Sequence, residues 1–386
     1  MMKKSLAKIR GFLPYVILLF LNAFVDQGHK MLIQNTVFKV YDGYYQVVLT
    51  AIVNALILLP FILLFSPAGF CSDRWPKNNI MRIAAWLAVA LTLLITLFYY
   101  LGWFWAAFGM TFLLASQSAF YSPAKYGYIR ALVGADRLTA ANGVVQATTI
   151  TAILVGTFVM SILFEWHYAT VGENNETAIL QAFAPVGWLL VLNSVVELIM
   201  AYRLPELEQP KPELRFSLKE YITGQDIAKA IKPVYSHPVI VVAIVGLAGF
   251  WSVSQLMLAA FPAFAKADLG ETNTVFIQGV MAVTGIGIMV GALLAAKFTR
   301  SEHADAVFNI RWLSLPALGI ALCLLWLPIL PALWFHGINF FVIGICGGLF
   351  IVPLNSIIQY YGDPQHLGKI LAANNLGRIL ACLVFY

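Results

Sequence analysis

Long uncharged apolar stretches recur along the whole chain, and they restrict the fold more than any other feature of the sequence. Each has close to the ~20 residues that an α-helix needs to cross the hydrocarbon core of a bilayer. Charged residues make up only 11% of the chain and hydrophobic residues 61%, whereas a soluble domain has about 25% charged residues. The sequence therefore predicts an all-α integral membrane protein. Soluble enzymes, nucleic-acid-binding proteins and disulfide-stapled secreted domains are excluded.

We predict eleven spans, near residues 12–34, 44–66, 80–100, 103–122, 138–163, 178–201, 238–262, 273–297, 306–327, 332–353 and 366–386.

Lysine and arginine fall almost entirely on one side of these spans. Basic residues precede the first span and fill the polar segment 203–237, whereas the opposite side keeps only Lys39 and Lys266. Positively charged loops stay in the cytoplasm, so we predict a multi-pass protein with its N-terminus cytoplasmic. The same asymmetry accounts for the net charge of +6 without a nucleic-acid partner.

The segment 203–237 is also the longest polar stretch and contains four prolines. It divides the chain into an N-terminal six-span half, residues 1–202, and a C-terminal half with five spans, residues 238–386. Within it, Ser217 and Glu220 form a capping box ahead of isoleucines at helical spacing, which predicts an amphipathic helix on the cytoplasmic membrane face.

The two halves repeat each other in the same membrane orientation. Three pairs of segments match at a nearly constant offset: 21–32 with 247–258, 120–123 with 350–353, and 140–142 with 372–374. A parallel repeat of six-span halves is the architecture of the major facilitator superfamily. By this repeat, a twelfth span is expected after Tyr386.

A motif after the second span, residues 69–77, resembles the signature loop of that superfamily. Gly69 allows close helix approach, Asp73 can cap a neighbouring helix, and Arg74 balances its charge. We predict a conformational latch here. The alternative is an ordinary positive-inside loop.

Several longer motifs resemble the bacterial lysophospholipid transporter family. They are Phe24–Asp26, Tyr121–Gly127, Ala141–Gly143 and Val352–Gln359. The resemblance implies a facilitator that flips lysophospholipids, chiefly lysophosphatidylethanolamine, across the bacterial inner membrane for re-acylation. It also implies a partner, an acyltransferase joined to an acyl-carrier-protein synthetase, which in some bacteria is fused to the transporter.

Polar side chains on one face of the first span form the main candidate site. Asn22, Asp26 and Lys30 recur at i, i+4 spacing, and an ionisable group at mid-membrane is costly enough to suggest function. Asp26 could receive the ammonium of an ethanolamine headgroup, and Lys125 the phosphate. The alternatives are that Asp26 and Lys30 neutralise each other, and that Lys125 is a topology anchor.

The remaining candidates lie on other spans. Asn142 and Gln146 share a face of span five, and Arg378 is deep in span eleven, where the family tends to carry an acid. Arg378 needs a partner, which could be Asp26, a substrate phosphate or another internal group. Glu197 is expected to meet Arg203 near the interface, outside the substrate site.

The sequence shows no catalytic motif, phosphate loop, metal-ligand set or cofactor motif, so we predict a transporter that is not an enzyme and needs no cofactor. Two other functions remain open. One is transport of another small solute or drug, and the other is a membrane platform that presents lipid to a fused acyltransferase.

Overall fold

The structure is a computed structural model that describes residues 6–172, 175–211, 213–223, 231–271, 274–298 and 313–383. The described part is built from α-helices and short 3-10 turns. The α-helices are α1 Phe12–Val40, α2 Gly43–Leu63, α3 Phe65–Arg74, α4 Lys77–Leu101, α5 Phe104–Val133, α6 Leu138–Tyr168, α7 Glu176–Tyr202, α8 Leu218–Ile222, α9 Pro238–Asp268, α10 Thr274–Phe298, α11 Ser314–Trp326, α12 Leu333–Tyr361 and α13 Leu367–Leu383.

Eight of the described helices are long and apolar enough to cross a membrane by length and composition. Helices α5, α11 and α13 lie at the positions of the other three predicted spans. The prediction of an all-α integral membrane fold is confirmed. The start of the ninth predicted span, residues 306–312, lies outside the described residues.

The second predicted span differs from the structure at its end. A single helix was expected to run to residue 66, but α2 ends at Leu63 and α3 begins at Phe65. The cause is Pro67, whose ring has no N–H and would clash with the carbonyl of Leu63 in a continuous helix. The break separates the apolar span from the helix that carries the signature motif.

By contacts, the chain divides into two compact units. Unit 1 comprises residues 1–128 and 152–226, and unit 2 comprises residues 129–151 and 227–386. The division between them falls inside the predicted linker, and the middle of the α5–α6 hairpin is counted with unit 2. The predicted domain boundaries at 202 and 238 stay a prediction.

Unit 1 has its core around α1, α4 and α7. Helix α7 packs along both α1 and α4, and aromatic residues such as Phe164 and Phe183 fill the space between them. Gly187 of α7 lies so close to Thr96 of α4 that a Cβ there would be 2.7 Å from the threonine hydroxyl. These contacts hold α1, which carries the polar candidates, in a fixed register.

Unit 2 has its closest packing between α10 and α12. Gly287 and Gly291 of α10 meet Gly344 and Gly348 of α12 with their backbones in direct contact. A Cβ at Gly291 would lie 2.1 Å from the carbonyl oxygen of Ile345. Small residues at this spacing let transmembrane helices approach closely.

The first described part of the linker, residues 203–211 and 213–223, belongs to unit 1, whereas residues 231–237 belong to unit 2. Lys77 forms an ion pair of 2.7 Å with Glu208, and Arg82 one of 2.9 Å with Glu206. The amide of Lys211 donates to the carbonyl of Arg74 at 2.8 Å. Helix α8 is the described part of the predicted amphipathic helix, and the continuation over 224–230 lies outside the described residues.

Candidate functional site

The polar face of α1 opens onto a cavity of about 200 Å³ within unit 1. Asp26 and Lys30 both line it, together with Ser118 of α5. The remaining wall is largely apolar and includes Ile57 and Phe61 of α2. The structure thus brings an acid and a base together on one cavity inside the span, as the spacing along α1 predicted.

The two charges do not neutralise each other directly. Among the described residues, no ion pair within 4 Å joins Asp26 to Lys30. Asp26 instead accepts a hydrogen bond of 2.5 Å from the Ser118 hydroxyl. Lys125 is close enough for its charge to act on Asp26. Neither Lys30 nor Lys125 forms an ion pair within 4 Å with a described residue.

Lys125 lies on α5 with its ammonium 4.8 Å from the ring centre of Tyr126. Its backbone carbonyl accepts a 2.7 Å hydrogen bond from the hydroxyl of Tyr15, a fully buried residue of α1. The Tyr15 ring in turn lies 5.6 Å from that of Tyr128. The backbone of Lys125 is therefore held to α1 independently of its side chain.

Asn22, one turn before Asp26, has a partner that the sequence did not predict. Its side-chain amide donates to Oε1 of Glu197 at 3.3 Å. Glu197 has no exposed surface, and Oε2 has no hydrogen-bond partner among the described residues. The expected contact between Glu197 and Arg203 near the interface is wrong, because α7 turns this side chain into the unit.

His29 shares the polar stretch of α1 but points into a structural network. Its Nδ1 lies 2.7 Å from the hydroxyl of Tyr99, and its Nε2 lies 3.0 Å from the carbonyl oxygen of Ala107 and 3.3 Å from Thr111. The ring is buried and its polar atoms are all used. It ties α1 to α4 and α5.

In unit 2, Asn142 is paired with another amide. Asn142 donates to Gln359 at 2.8 Å, and Gln359 donates back to Asn142 at 3.0 Å. Asn142 also lies 3.2 Å from the Ser356 hydroxyl. Gln146, one turn further along α6, is buried on the same face. The reciprocal pair leaves the Asn142 amide occupied in this conformation.

Arg130 also binds the C-terminal end of α12, close to Gln359. Its guanidinium donates to the carbonyl of Gln359 at 2.9 Å and to that of Gly362 at 2.8 Å. These carbonyls belong to the last turn of α12, where a cation is favoured by the helix dipole. Arg130 was not among the candidates from the sequence, because its acceptors lie more than 200 positions away.

Arg378 lies half-buried on α13 with its guanidinium 4.7 Å from the ring centre of Trp251. Trp251 also lines a second cavity, of about 280 Å³, whose walls are mainly apolar and include Phe250 and Phe340. The aromatic face is thus the partner of Arg378 within unit 2. The predicted pairing with Asp26 stays a prediction.

The three predicted latch residues lie on α3. Gly69 and Asp73 are buried, and α3 ends at Arg74, whose guanidinium lies 5.8 Å from the ring centres of both Phe70 and Trp75. The carbonyl of Arg74 is the acceptor for the linker amide described above. The motif therefore joins α3 to the linker, and its role as a latch stays a prediction.

Two helical units, one with a charged cavity among its membrane-spanning helices and one with an apolar cavity, are typical of secondary transporters. The chain belongs to the Major Facilitator Superfamily, whose family model matches residues 15–386. This confirms the architecture that the sequence repeat predicted.

Two curated relatives carry the name lysophospholipid transporter LplT. The one from Photorhabdus laumondii is 28% identical over 381 residues, which cover 97% of this chain and 86% of the relative. The one from Klebsiella pneumoniae is 26% identical over 394 residues, which cover 97% and 87%. These relatives confirm the family resemblance that the motifs of α1, α5, α6 and α12 indicated.

Solved structures of transporters share the fold. A bacterial homologue of the iron transporter ferroportin, in an outward-facing state, has a TM-score of 0.73 at 13% identity and covers 97% of this chain and 91% of its own. The human organic anion transporter MFSD10 has a TM-score of 0.71 at 15% identity, with 99% and 93% covered. At these identities the likeness shows the fold alone.

Proposed function

We propose that this protein is a secondary transporter that moves lysophospholipids with a zwitterionic headgroup, such as lysophosphatidylethanolamine, across the bacterial inner membrane by alternating access. The names of the relatives along nearly the full chain support this substrate class. The N-terminus lies in the cytoplasm by the distribution of lysine and arginine. Re-acylation by an acyltransferase, separate or fused, would consume the transported lipid.

The observation that carries the proposal is the cavity of unit 1. At about 200 Å³ it is smaller than the roughly 300–1,000 Å³ typical of pockets for drug-sized ligands, so it fits a headgroup better than a whole lipid. Asp26 on its wall binds the ammonium, and Asn22 fixes the neighbouring turn of α1. An apolar wall beside the charges suits a headgroup that is still attached to an acyl chain.

Two cations of unit 1 can share the recognition of the phosphate, and Arg378 of unit 2 is a separate candidate. Lys30 lines the cavity, Lys125 acts on Asp26 from α5, and Arg378 lies beside the apolar cavity of unit 2. The first two would bind phosphate as point charges, whereas the guanidinium of Arg378 could form two parallel hydrogen bonds. Asn142 and Gln146 would contact substrate only after the Asn142–Gln359 pair has opened.

Transport by purified protein in proteoliposomes tests the proposal. We expect labelled lysophosphatidylethanolamine to cross the bilayer faster than in protein-free liposomes, and diacyl phosphatidylethanolamine to cross no faster. Asp26→Asn should lose most of this activity, because it removes the acid on the cavity wall. The matched control is Asp42→Asn, an exposed acid between α1 and α2 with no capping hydrogen bond. Equal transport by wild type and Asp26→Asn would contradict the assignment.

A further inference from the structure

Glu197 is a buried acid of unit 1 with few groups to compensate a charge. It is fully buried, and its one hydrogen-bond donor, the amide of Asn22, lies at the long distance of 3.3 Å. Oε2 has no partner among the described residues. Burying an ionised carboxylate costs several kcal/mol unless donors or a counter-ion compensate it. The described residues supply neither compensation at Oε2.

Asp26 makes a negative charge on Glu197 still less favourable. Glu197 contacts Asn22, one turn of α1 before Asp26, and the two carboxyl groups are near enough for their charges to repel each other. Asp26 has the better environment, since Ser118 donates to it at 2.5 Å and Lys125 acts on it from α5. Two neighbouring carboxylates in unequal environments favour a state in which only one of them is ionised.

A second buried polar group in unit 1 also lacks a hydrogen-bond partner among the described residues. The hydroxyl of Tyr121, one turn after Ser118 on α5, is 2% exposed and has no hydrogen-bond partner among the described residues. It interacts electrostatically with both Asp26 and Glu197. A buried hydroxyl and a buried carboxylate oxygen that both lack a partner, on residues that interact electrostatically, favour a ligand small enough to enter a closed site.

The other groups around the site do not supply a counter-ion to Glu197. Those that act on Tyr121 or on either carboxylate are Tyr15, Tyr126 and Lys125. The Tyr15 hydroxyl is used by the carbonyl of Lys125, and the Lys125 charge acts on Asp26. A proton is the ligand that fits, because it removes the charge on Glu197 and needs no additional space.

We propose that Glu197, Asp26 and Tyr121 form a proton-binding site in unit 1, with the proton held by Glu197 in this conformation. Protonation forms an O–H bond on a carboxylate oxygen as a hydronium ion at the Asp26 cavity becomes water. The site links the charge at Asp26, which faces the cavity, to the proton on Glu197. The inference does not depend on which substrate is transported.

Infrared difference spectroscopy tests whether Glu197 holds a proton. The full chain is reconstituted in proteoliposomes of phosphatidylethanolamine and phosphatidylglycerol, and only the pH is varied. At neutral pH we expect the C=O band of a protonated carboxyl group, shifted in D₂O. Glu197→Gln should abolish the band, and Glu213→Gln, a change of an exposed linker carboxylate, should leave it intact. A wild-type spectrum without the band at neutral pH, or a band that survives in Glu197→Gln, would overturn the proposal.

Two further variants keep the test decisive if Glu197→Gln does not fold. Glu197→Asp retains the acid in a new position, so the band should move in frequency, and an unchanged band would overturn the assignment. Asp26→Asn removes the repelling charge, so the band should disappear at lower pH than in wild type. An identical pH range in Asp26→Asn and wild type would show that the two carboxylates do not share a site.

Discussion

Lys125 differs from the other headgroup candidates because its backbone and its side chain have separate tasks. Tyr15 holds the backbone carbonyl, so a side-chain substitution leaves that hydrogen bond in place. We expect Lys125→Ala to lower the rate of lysophospholipid transport at least about tenfold, since one charge-assisted contact contributes roughly 1.5–3 kcal/mol. Lys125→Arg should retain part of the rate through its charge. Initial rates in proteoliposomes measure both.

The control for Lys125 is Lys8→Ala, which removes an exposed cation from the same predicted membrane face. Its transport rate should match that of wild type. If the alanine and arginine variants of Lys125 transport equally well, Lys125 is a topology anchor and has no part in headgroup recognition.

The hydrogen-bonded Asn142–Gln359 pair predicts that substitutions of the two residues have coupled effects on stability. Each single alanine substitution leaves a buried amide without its partner, which costs about 1–3 kcal/mol. The double variant removes both amides, so its loss should be smaller than the sum of the single losses. Thermal unfolding midpoints of the four purified proteins in detergent measure this coupling. Additive losses would show that the two amides do not depend on each other.

At the residue level, the sequence predicted positions along a helix better than partners across helices. Asp26 could be found because an acid in the middle of an apolar span is conspicuous by itself. Glu197 was wrongly given Arg203 as a partner, since sequence distance from the end of a span does not show which face of α7 points inward. Asn142 was assigned to substrate because Gln359 is 217 positions away and its approach depends on tertiary packing.

At the scale of helices, the close contact between α10 and α12 in unit 2 predicts how a glycine substitution changes stability. Gly291→Ala places a Cβ 2.1 Å from the carbonyl oxygen of Ile345, which is backbone and can move only with α12. We expect a loss of about 1–3 kcal/mol, the usual cost of overpacking. The matched control on the same helix is Gly279→Ala, where a Cβ meets nothing within 4 Å. Thermal midpoints of the two variants should therefore differ.

If Gly291→Ala and Gly279→Ala unfold at the same temperature, the backbones of α10 and α12 are not in contact as described.

The small-residue pattern on α10 was visible in the sequence, but its partner surface on α12 was not. The break after Leu63 is the reverse case. Pro67 was visible, and its effect on the preceding turn follows from local sterics, yet the apolar character of residues 44–66 concealed it.

At the scale of the whole molecule, the internal repeat was the most informative sequence feature. Three short matches between the halves were enough to predict the Major Facilitator Superfamily, because a parallel repeat of six-span halves is its architecture. The contact units follow from packing that the repeat does not encode. Residues 129–151, which the sequence assigns to the first half, make their described contacts in unit 2 through Arg130 and Asn142.

The central claim is that Asp26 recognises the ammonium of a lysophospholipid headgroup. The most direct test changes the protein and the lipid together, by comparing wild type and Asp26→Asn with lysophosphatidylethanolamine and with lysophosphatidic acid, which has no ammonium. The account predicts that Asp26→Asn loses at least about tenfold in transport of the first lipid, equivalent to about 1.4 kcal/mol, and little with the second. An equal loss with both lipids, or no loss with either, would contradict it.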